Sequence, residues 1–357
     1  METAKQNCDE YLKWLRFVLN PSLPVPDIKD WQELYKFVCQ QTIAGICEPT
    51  RFSNVHPDTD VLLEWIGMVE RLRGLNRLQN SQIADLVGKL KEVGFRCCIL
   101  KGQGNATMYP DGELRTPGDI DVWVDTDEKT LIEHVRREFP EEKEGFKHIK
   151  YPVFKDTGVD MHYTPLRFVH PKYNKRLQQW IKDNKEQQMT HYVRLANTET
   201  VIAIPTAEFN VVYQLGHLMI HLFSWGIGFR QLVDYFYVLK SLEGISDAQK
   251  TEIVEDWKYL GLSRMASAVM WIETEILGLP EGLALIKPNR YLGRIVFADI
   301  MKGGNFGKYN KGYKYPKRGI LRRLYSLYRL LKFFLFFPRE VLSRIMKRSK
   351  ALLVEKP

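Results

Sequence analysis

The 357-residue chain has only five cysteines, Cys8, Cys39, Cys47, Cys97 and Cys98, an odd number with no CxxC pair. That excludes a disulfide framework and a cysteine-built zinc site, and it fits reduced thiols in a cytoplasmic protein. No apolar run reaches the roughly 18 residues that a membrane span needs. Met1 to Asn7 is polar and mixed in charge, so no secretory leader is expected. Low-complexity tracts, internal repeats and the HExxH motif are also absent. What remains is a globular composition, 45% hydrophobic and 27% charged with 18 Phe, 17 Tyr and 8 Trp, which excludes disorder, collagen and coiled coil and provides for a sizeable core. Against domains of roughly 100 to 200 residues, the length predicts two domains or one core with helical additions.

The net charge of +9 is unevenly placed. Lys311 to Lys350 holds 13 Lys and Arg against the single acid Glu340, a local charge of +12 that leaves −3 for the rest. The basicity therefore belongs to the tail, and a body of slightly acidic balance argues against a chain-wide nucleic-acid surface.

Periodicity divides the chain. Residues 1–95 read as a helical region, broken by the proline-rich Asn20 to Asp27. Its clearest helix carries Ile83, Leu86, Leu90 and Val93, with Ser81 as its expected cap and Gly94 as its end. Residues 96–170 read as a compact α/β core: strands at 96–100 and 120–124, a helix at 128–138, and strands near 148–154 and 159–163 around the turn Lys155-Asp156-Thr157-Gly158. Residues 171–300 are mainly helical, with an extended piece at 200–204 and Thr206 as a helix cap. A Gly- and Lys-rich linker (301–315) leads to a basic amphipathic tail (316–357). The fold class is thus α/β in the α+β sense, a small mixed sheet with helical additions at both ends.

The informative residues are Leu100-Lys101-Gly102-Gln103-Gly104, Arg115, Gly118-Asp119-Ile120-Asp121-Val122 and Gly158-Val159-Asp160-Met161-His162. Alternate residues of a strand project to one side, so Asp119 and Asp121 face together while Ile120 and Val122 anchor the strand. If the 159–163 strand is a neighbour, Asp160 joins them. Three crowded carboxylates call for a divalent cation, and oxygen ligands suit Mg²⁺, which completes its octahedron with waters and phosphates.

This arrangement resembles the nucleotidyltransferase superfamily of the polymerase-beta type. It is most similar to a bacterial family in that superfamily with a Leu-Lys-Gly turn, an Arg ahead of Asp-Ile-Asp, and an Asp-hydrophobic-His strand. The resemblance implies that Asp119, Asp121 and Asp160 hold Mg²⁺ (or Mn²⁺) and do the catalysis, with Asp160 helping to deprotonate an attacking hydroxyl. It further implies that Lys101, Gly102, Gln103, Gly104 and Arg115 receive the NTP. The chain departs from the superfamily at Gln103, where Gly or Ser is usual, and in the length between Gly102 and Asp119.

Other residues carry two readings. Lys101 and Arg115 could simply pair with the acids. His217 and His221, four apart on one helical face, read as packed residues before metal ligands, and Arg230 with Asp234 as an i,i+4 ion pair. These four, with His162, are also the candidates for an acceptor site. In the tail, Ile320, Leu324, Leu327, Leu331 and Leu335 form a stripe, with Arg322 and Arg329 opposite and Phe333, Phe334, Phe336 and Phe337 following. That is the pattern of an interfacial helix at an anionic inner-membrane face and equally of a helix packed within the protein; nucleic-acid contact ranks below both. The expected activity is Mg²⁺-dependent transfer of NMP from an NTP to a hydroxyl-bearing acceptor. Its rival is a binding or scaffold protein of the same fold that keeps the acids without turnover.

Overall fold

The computed structural model describes residues 2–309, apart from 53, 54 and 56, and residues 320–354. Side chains are described from residue 9 and, in the tail, over 324–347 apart from 326. In chain order the elements are α1 (Glu2–Leu19), α2 (Trp31–Gln40), α3 (Thr59–Glu92), β1 (Cys97–Ile99), α4 (Gln103–Ala106), β2 (Ile120–Val124), α5 (Glu128–Glu138), β3 (His148–Lys150), β4 (Val159–His162), α6 (Pro171–Thr190), β5 (Tyr192–Arg194) and β6 (Val201–Ala203). The helical remainder is α7 (Ala207–Ser224), α8 (Phe229–Lys240), α9 (Asp247–Tyr259), α10 (Ser263–Trp271), α11 (Arg290–Gly303), α12 (Ile320–Lys332) and α13 (Pro338–Val354).

One mixed sheet of order β3-β4-β2-β1-β6-β5 runs through the middle. β2 pairs parallel with β4 and antiparallel with β1, and β6 lies parallel beside β1. The strands alternate as the sequence requires. Ile99, Ile120, Val122, Val124, Ile149, Val159 and Met161 form one apolar core with Ile83, Leu86 and Leu90 of α3 and Leu131 and Val135 of α5. Cys98 and Trp123 face the other way, into the larger helical core. Each fully buried aliphatic or aromatic side chain contributes about 1.5–3 kcal/mol, so β2, buried on both faces along its length, is the best-fixed strand and the natural carrier of a site.

Local signals agree in most places. Asp127 caps α5 through Thr130 N–H, and Thr206 caps α7 through Phe209 N–H. Gly94 ends the segment after α3 with φ +81°, a left-handed conformation that costs glycine nothing. Ser81 does not start a helix. It lies inside α3, because Val61, Trp65, Val69, Leu72, Asn76 and Ile83 keep one buried face continuous across it. The sheet also reaches past residue 170 to take in β5 and β6.

The tail packs onto the helical region. Leu330, Phe333, Phe337 and Val341 are buried, and Arg329, expected on the solvated side of α12, is only 6% exposed. Its guanidinium contacts Asp299 at 2.5 Å and the Leu222 carbonyl at 2.7 Å. The ring pair Phe333 and Phe337 against Phe223 decides which side of α12 faces inward, so the Leu324, Leu327, Leu331 and Leu335 stripe is turned outward. The side chains of Ile320 and Arg322 and residues 310–319 of the linker and tail lie outside the described residues. Among the described residues no helix is long and apolar enough to cross a membrane.

Candidate active site

The polar face of the sheet gathers the acids. In the parallel pair, Asp121 stands directly opposite Asp160 and Trp123 opposite His162, so both acids and His162 share a face. Asp119, exposed at the mouth of β2, comes two residues before Asp121. Its carboxylate occupies room that Gly158 leaves: a Cβ at Gly158 would sit 3.0 Å from Asp119 Oδ1. Trp123 stacks on Phe209 of α7 and pins this end of β2 against the helices.

Asp121 is buried and held from both sides. Lys101 Nζ lies 2.9 Å from Oδ2, and His162 Nε2 lies 2.9 Å from Oδ1. Burial alone would raise its pKa, but the Lys101 ammonium and the His162 hydrogen bond hold it well below the usual carboxylate range. Asp160 behaves oppositely. Burial first, then the neighbouring Asp121 and Asp119 charges, push it up to about 6, and its near partner is His148 Nε2 at 3.5 Å. Lys147, half-buried, is pushed down to about 8 by burial and by Lys101.

Lys101 introduces the turn. Gly102 follows at φ +58°, a left-handed conformation in which a side chain would be strained, and this turn aims Lys101 back toward β2. The same ammonium lies 3.0 Å from His217 Nε2, which lies 3.0 Å from His221 Nε2. Both histidines belong to a ladder at i,i+4 spacing along α7, in which Phe209, Tyr213, His217 and His221 touch in succession. Burial, then Lys101, drives both histidines down, His221 to about 3, so both are neutral.

A family described as uncharacterised nucleotidyltransferase matches residues 27–278, most of the chain and the whole of this site. The chain belongs to that family. A solved structure described as an antigenic nucleotidyltransferase-like protein from Paracoccidioides brasiliensis is similar at 13% identity and TM-score 0.31, over 51% of this chain and 92% of its own. Comparison with curated proteins gives no match.

In this nucleotidyltransferase family member the remaining candidates divide. Arg115 is buried and closes on Asp234 with two hydrogen bonds of 2.7 Å, and Tyr109 donates a third, of 2.6 Å. Asp234 therefore pairs with Arg115 and not with Arg230, its i,i+4 neighbour. Arg230 instead caps the Thr116 and Pro117 carbonyls and lies over Phe306. Burial outweighs helix spacing here, because a bidentate guanidinium satisfies both carboxylate oxygens at once. Gln103 is buried too and donates to Asn76 Oδ1 of α3 at 3.0 Å, and Gly104 packs behind the turn. The structure thus ties Arg115 and Gln103 to partners away from the acids, while Lys101 bonds to Asp121 itself, with Asp160 and the exposed Asp119 on the same face.

Lys147 and His148 went unnoticed in the sequence. The Lys155–Gly158 turn was the available signal: closing that hairpin sets His148 opposite His162. His217 and His221 pack in the ring ladder of α7, and they are also joined to the site through Lys101.

Proposed function

We propose that the protein transfers a nucleoside monophosphate from an NTP to a hydroxyl-bearing acceptor, using Mg²⁺ or Mn²⁺. One observation carries the reading: Asp121 and Asp160 are opposed across β2 and β4, with Asp119 at the mouth of the same face. The three donors are carboxylate oxygens, the chemistry that suits Mg²⁺ or Mn²⁺, and Asp160, pushed up to about 6 by burial first and then by the Asp121 and Asp119 charges, is a group that a nearby cation would relieve. Asp119, Asp121 and Asp160 would hold the ion. When bound, it neutralises those charges and polarises the transferred phosphoryl group.

The protein groups have separate tasks. Lys101, a point charge with three rotatable donors, exchanges Asp121 for the nucleotide phosphates, and His217 keeps it aimed during the exchange. His162 fixes the orientation of Asp121 by donating from Nε2. Asp160 accepts the acceptor hydroxyl's proton. Lys147 adds a second positive charge beside the phosphates. The test supplies each of the four NTPs with Mg²⁺ or Mn²⁺ and candidate hydroxyl acceptors, and measures pyrophosphate. Release that disappears in Asp121→Ala supports transfer. Metal-dependent nucleotide binding without release across the panel supports the scaffold reading.

A second observation concerns location. Leu324, Leu327, Tyr328, Leu331, Leu335, Leu342 and Met346 are exposed within a segment of charge +12. That combination fits the anionic inner face of a membrane, where each nearby Lys or Arg contributes about 1 kcal/mol. Co-sedimentation of the full chain with anionic but not neutral liposomes, weakened by salt, is the expected outcome; sedimentation with neither defeats this placement.

A further inference from the structure

Three side chains on the polar face form a second donor set, which shares Asp160 with the three acids. His148 of β3, Asp160 of β4 and His162 of β4 each place one ligand atom within 4.8 Å of the other two. The register explains the convergence. β3 and β4 are antiparallel neighbours with His148 opposite His162, and Asp160 precedes His162 by two residues on the same face. Their imidazole centroids are 5.1 Å apart. Two nitrogens and one carboxylate oxygen on a rigid hairpin are what a first-row transition ion takes, and Mg²⁺, which prefers oxygen and water, does not favour them.

The setting of His162 is the second observation. Its Nε2 lies 2.9 Å from Asp121 Oδ1, and an imidazole that donates from Nε2 to a carboxylate keeps the lone pair on Nδ1. The residue is fully buried, and its Nδ1 has no hydrogen-bond partner. A metal-binding histidine is commonly oriented in this way by a carboxylate on its other nitrogen; here Asp121 would be the orienting group. His148 reaches Asp160 only at 3.5 Å, and its own Nδ1 is also buried without a partner. The imidazole-carboxylate pair is therefore too long for a good hydrogen bond, while a shared ion would bring both into use. Two ammonium groups, Lys101 and Lys147, lie near enough to oppose a cation, and the three carboxylates outnumber them.

We propose that His148, Asp160 and His162 bind a transition divalent cation of the zinc or manganese class, with an open position toward the substrate face. This goes beyond the nucleotide-transfer reading, because the metal alone occupies the site. The arrangement predicts selection by ligand softness: zinc held at least tenfold tighter than magnesium, following the order of nitrogen-ligand affinities.

The test uses the untagged full-length protein without nucleotide. Titration calorimetry with Zn²⁺, Mn²⁺ and Mg²⁺ is compared for the wild type, His148→Ala, His162→Gln and Asp119→Asn, and Co²⁺ loading is followed by its visible spectrum. One zinc per chain is expected. Loss of at least tenfold in affinity in both histidine variants, with Asp119→Asn within about threefold of wild type, supports the site. His148 is half-buried at the sheet edge, so His148→Ala keeps the test readable if His162→Gln fails to fold. Zinc affinity unchanged in His148→Ala, zinc held no tighter than magnesium, or a Co²⁺ spectrum insensitive to His148→Ala would each overturn the proposal. Pyrophosphate release plays no part in these readings, so failure of the transferase reading would leave them intact.

Discussion

Two buried carboxylates on either side of the Lys101 to Asp121 loop make a controlled comparison. Asp234 is closed. Arg115 takes both its oxygens, Tyr109 adds a third bond, and the remaining Arg115 nitrogen donates to the Thr116 carbonyl. Asp121 has bonds of similar length, yet its partners are shared outward: Lys101 also serves His217, and His162 keeps a bare nitrogen. A flat guanidinium that matches both oxygens fixes geometry, whereas a single-point ammonium can be exchanged for another anion. The first arrangement is a clamp that ties the loop to α8, and the second is a site with room to change partners.

The largest expected effect breaks this symmetry at the open acid. Asp121→Asn should lower turnover by about 10³-fold or more, since it removes a ligand of the ion that stabilises transition-state charge. The protein should stay folded, because the amide keeps the shape and Lys101 can turn to His217 and to solvent. Pyrophosphate release and a thermal melt measured on the same sample check both halves. Turnover within tenfold of wild type would remove Asp121 from the metal-holding set.

Asp234→Asn should do the reverse. Leaving Arg115 buried opposite a neutral amide is expected to cost about 3–5 kcal/mol, seen as a large fall in denaturation midpoint, while nucleotide binding per folded molecule is retained. Equal loss of stability in Asp121→Asn and Asp234→Asn would erase the distinction between clamp and site.

Asp160 sharpens the comparison through pH. Its carboxyl is raised from 3.8 to about 6 in the folded chain, so the folded state binds its proton more tightly than the unfolded state. The associated stability is complete below about pH 4 and is lost as pH rises through 6. In metal-free protein, Asp160→Asn should therefore be roughly 2 kcal/mol more stable than wild type at pH 7.5 and nearly equal at pH 4. Saturating divalent ion should narrow the gap at pH 7.5. A difference independent of pH would mean that neither burial nor the neighbouring Asp121 and Asp119 charges raise the Asp160 carboxyl.

Much of this was legible in the sequence because strands have a strict period of two. Once Ile120, Val122 and Val124 are assigned to the core, Asp119 and Asp121 have only one place to go, and Val159 and Met161 do the same for Asp160. The helical parts were harder to read. Helical spacing named Arg230 as the partner of Asp234, yet Arg115, 119 residues away, takes that place, and no periodic rule reports such a contact. α12 shows the same limit. The stripe on α12 competes with the aromatic segment that follows it, and the contacts of Phe333 and Phe337 with Phe223 set which side of the helix turns inward, a choice that depends on where α7 lies. Ser81 failed as a cap because an apolar stripe on both sides of it kept the helix going.

The smallest expected effect lies at the far end of the open assembly. His217 Nε2 lies 3.0 Å from Lys101 Nζ and 3.0 Å from His221 Nε2, and burial first, then the Lys101 charge, keeps both rings neutral. His217→Ala removes one acceptor from Lys101 and should cost about 1 kcal/mol of stability at pH 7.5, with a fall in kcat/KM of under tenfold that appears mainly in KM for the nucleotide. The pH dependence separates this from simple loss of packing. Burial and the Lys101 charge depress the proton affinity of His217, so the fold prefers the neutral ring. Its contribution is present above the ordinary histidine pKa of about 6.5 and is lost as pH falls below it. The variant should therefore lose less stability than wild type between pH 6.5 and 4.5, and the two melting curves should converge on acidification. Parallel curves across that range would make His217 an ordinary core residue and leave Asp121 as the sole anchor of Lys101.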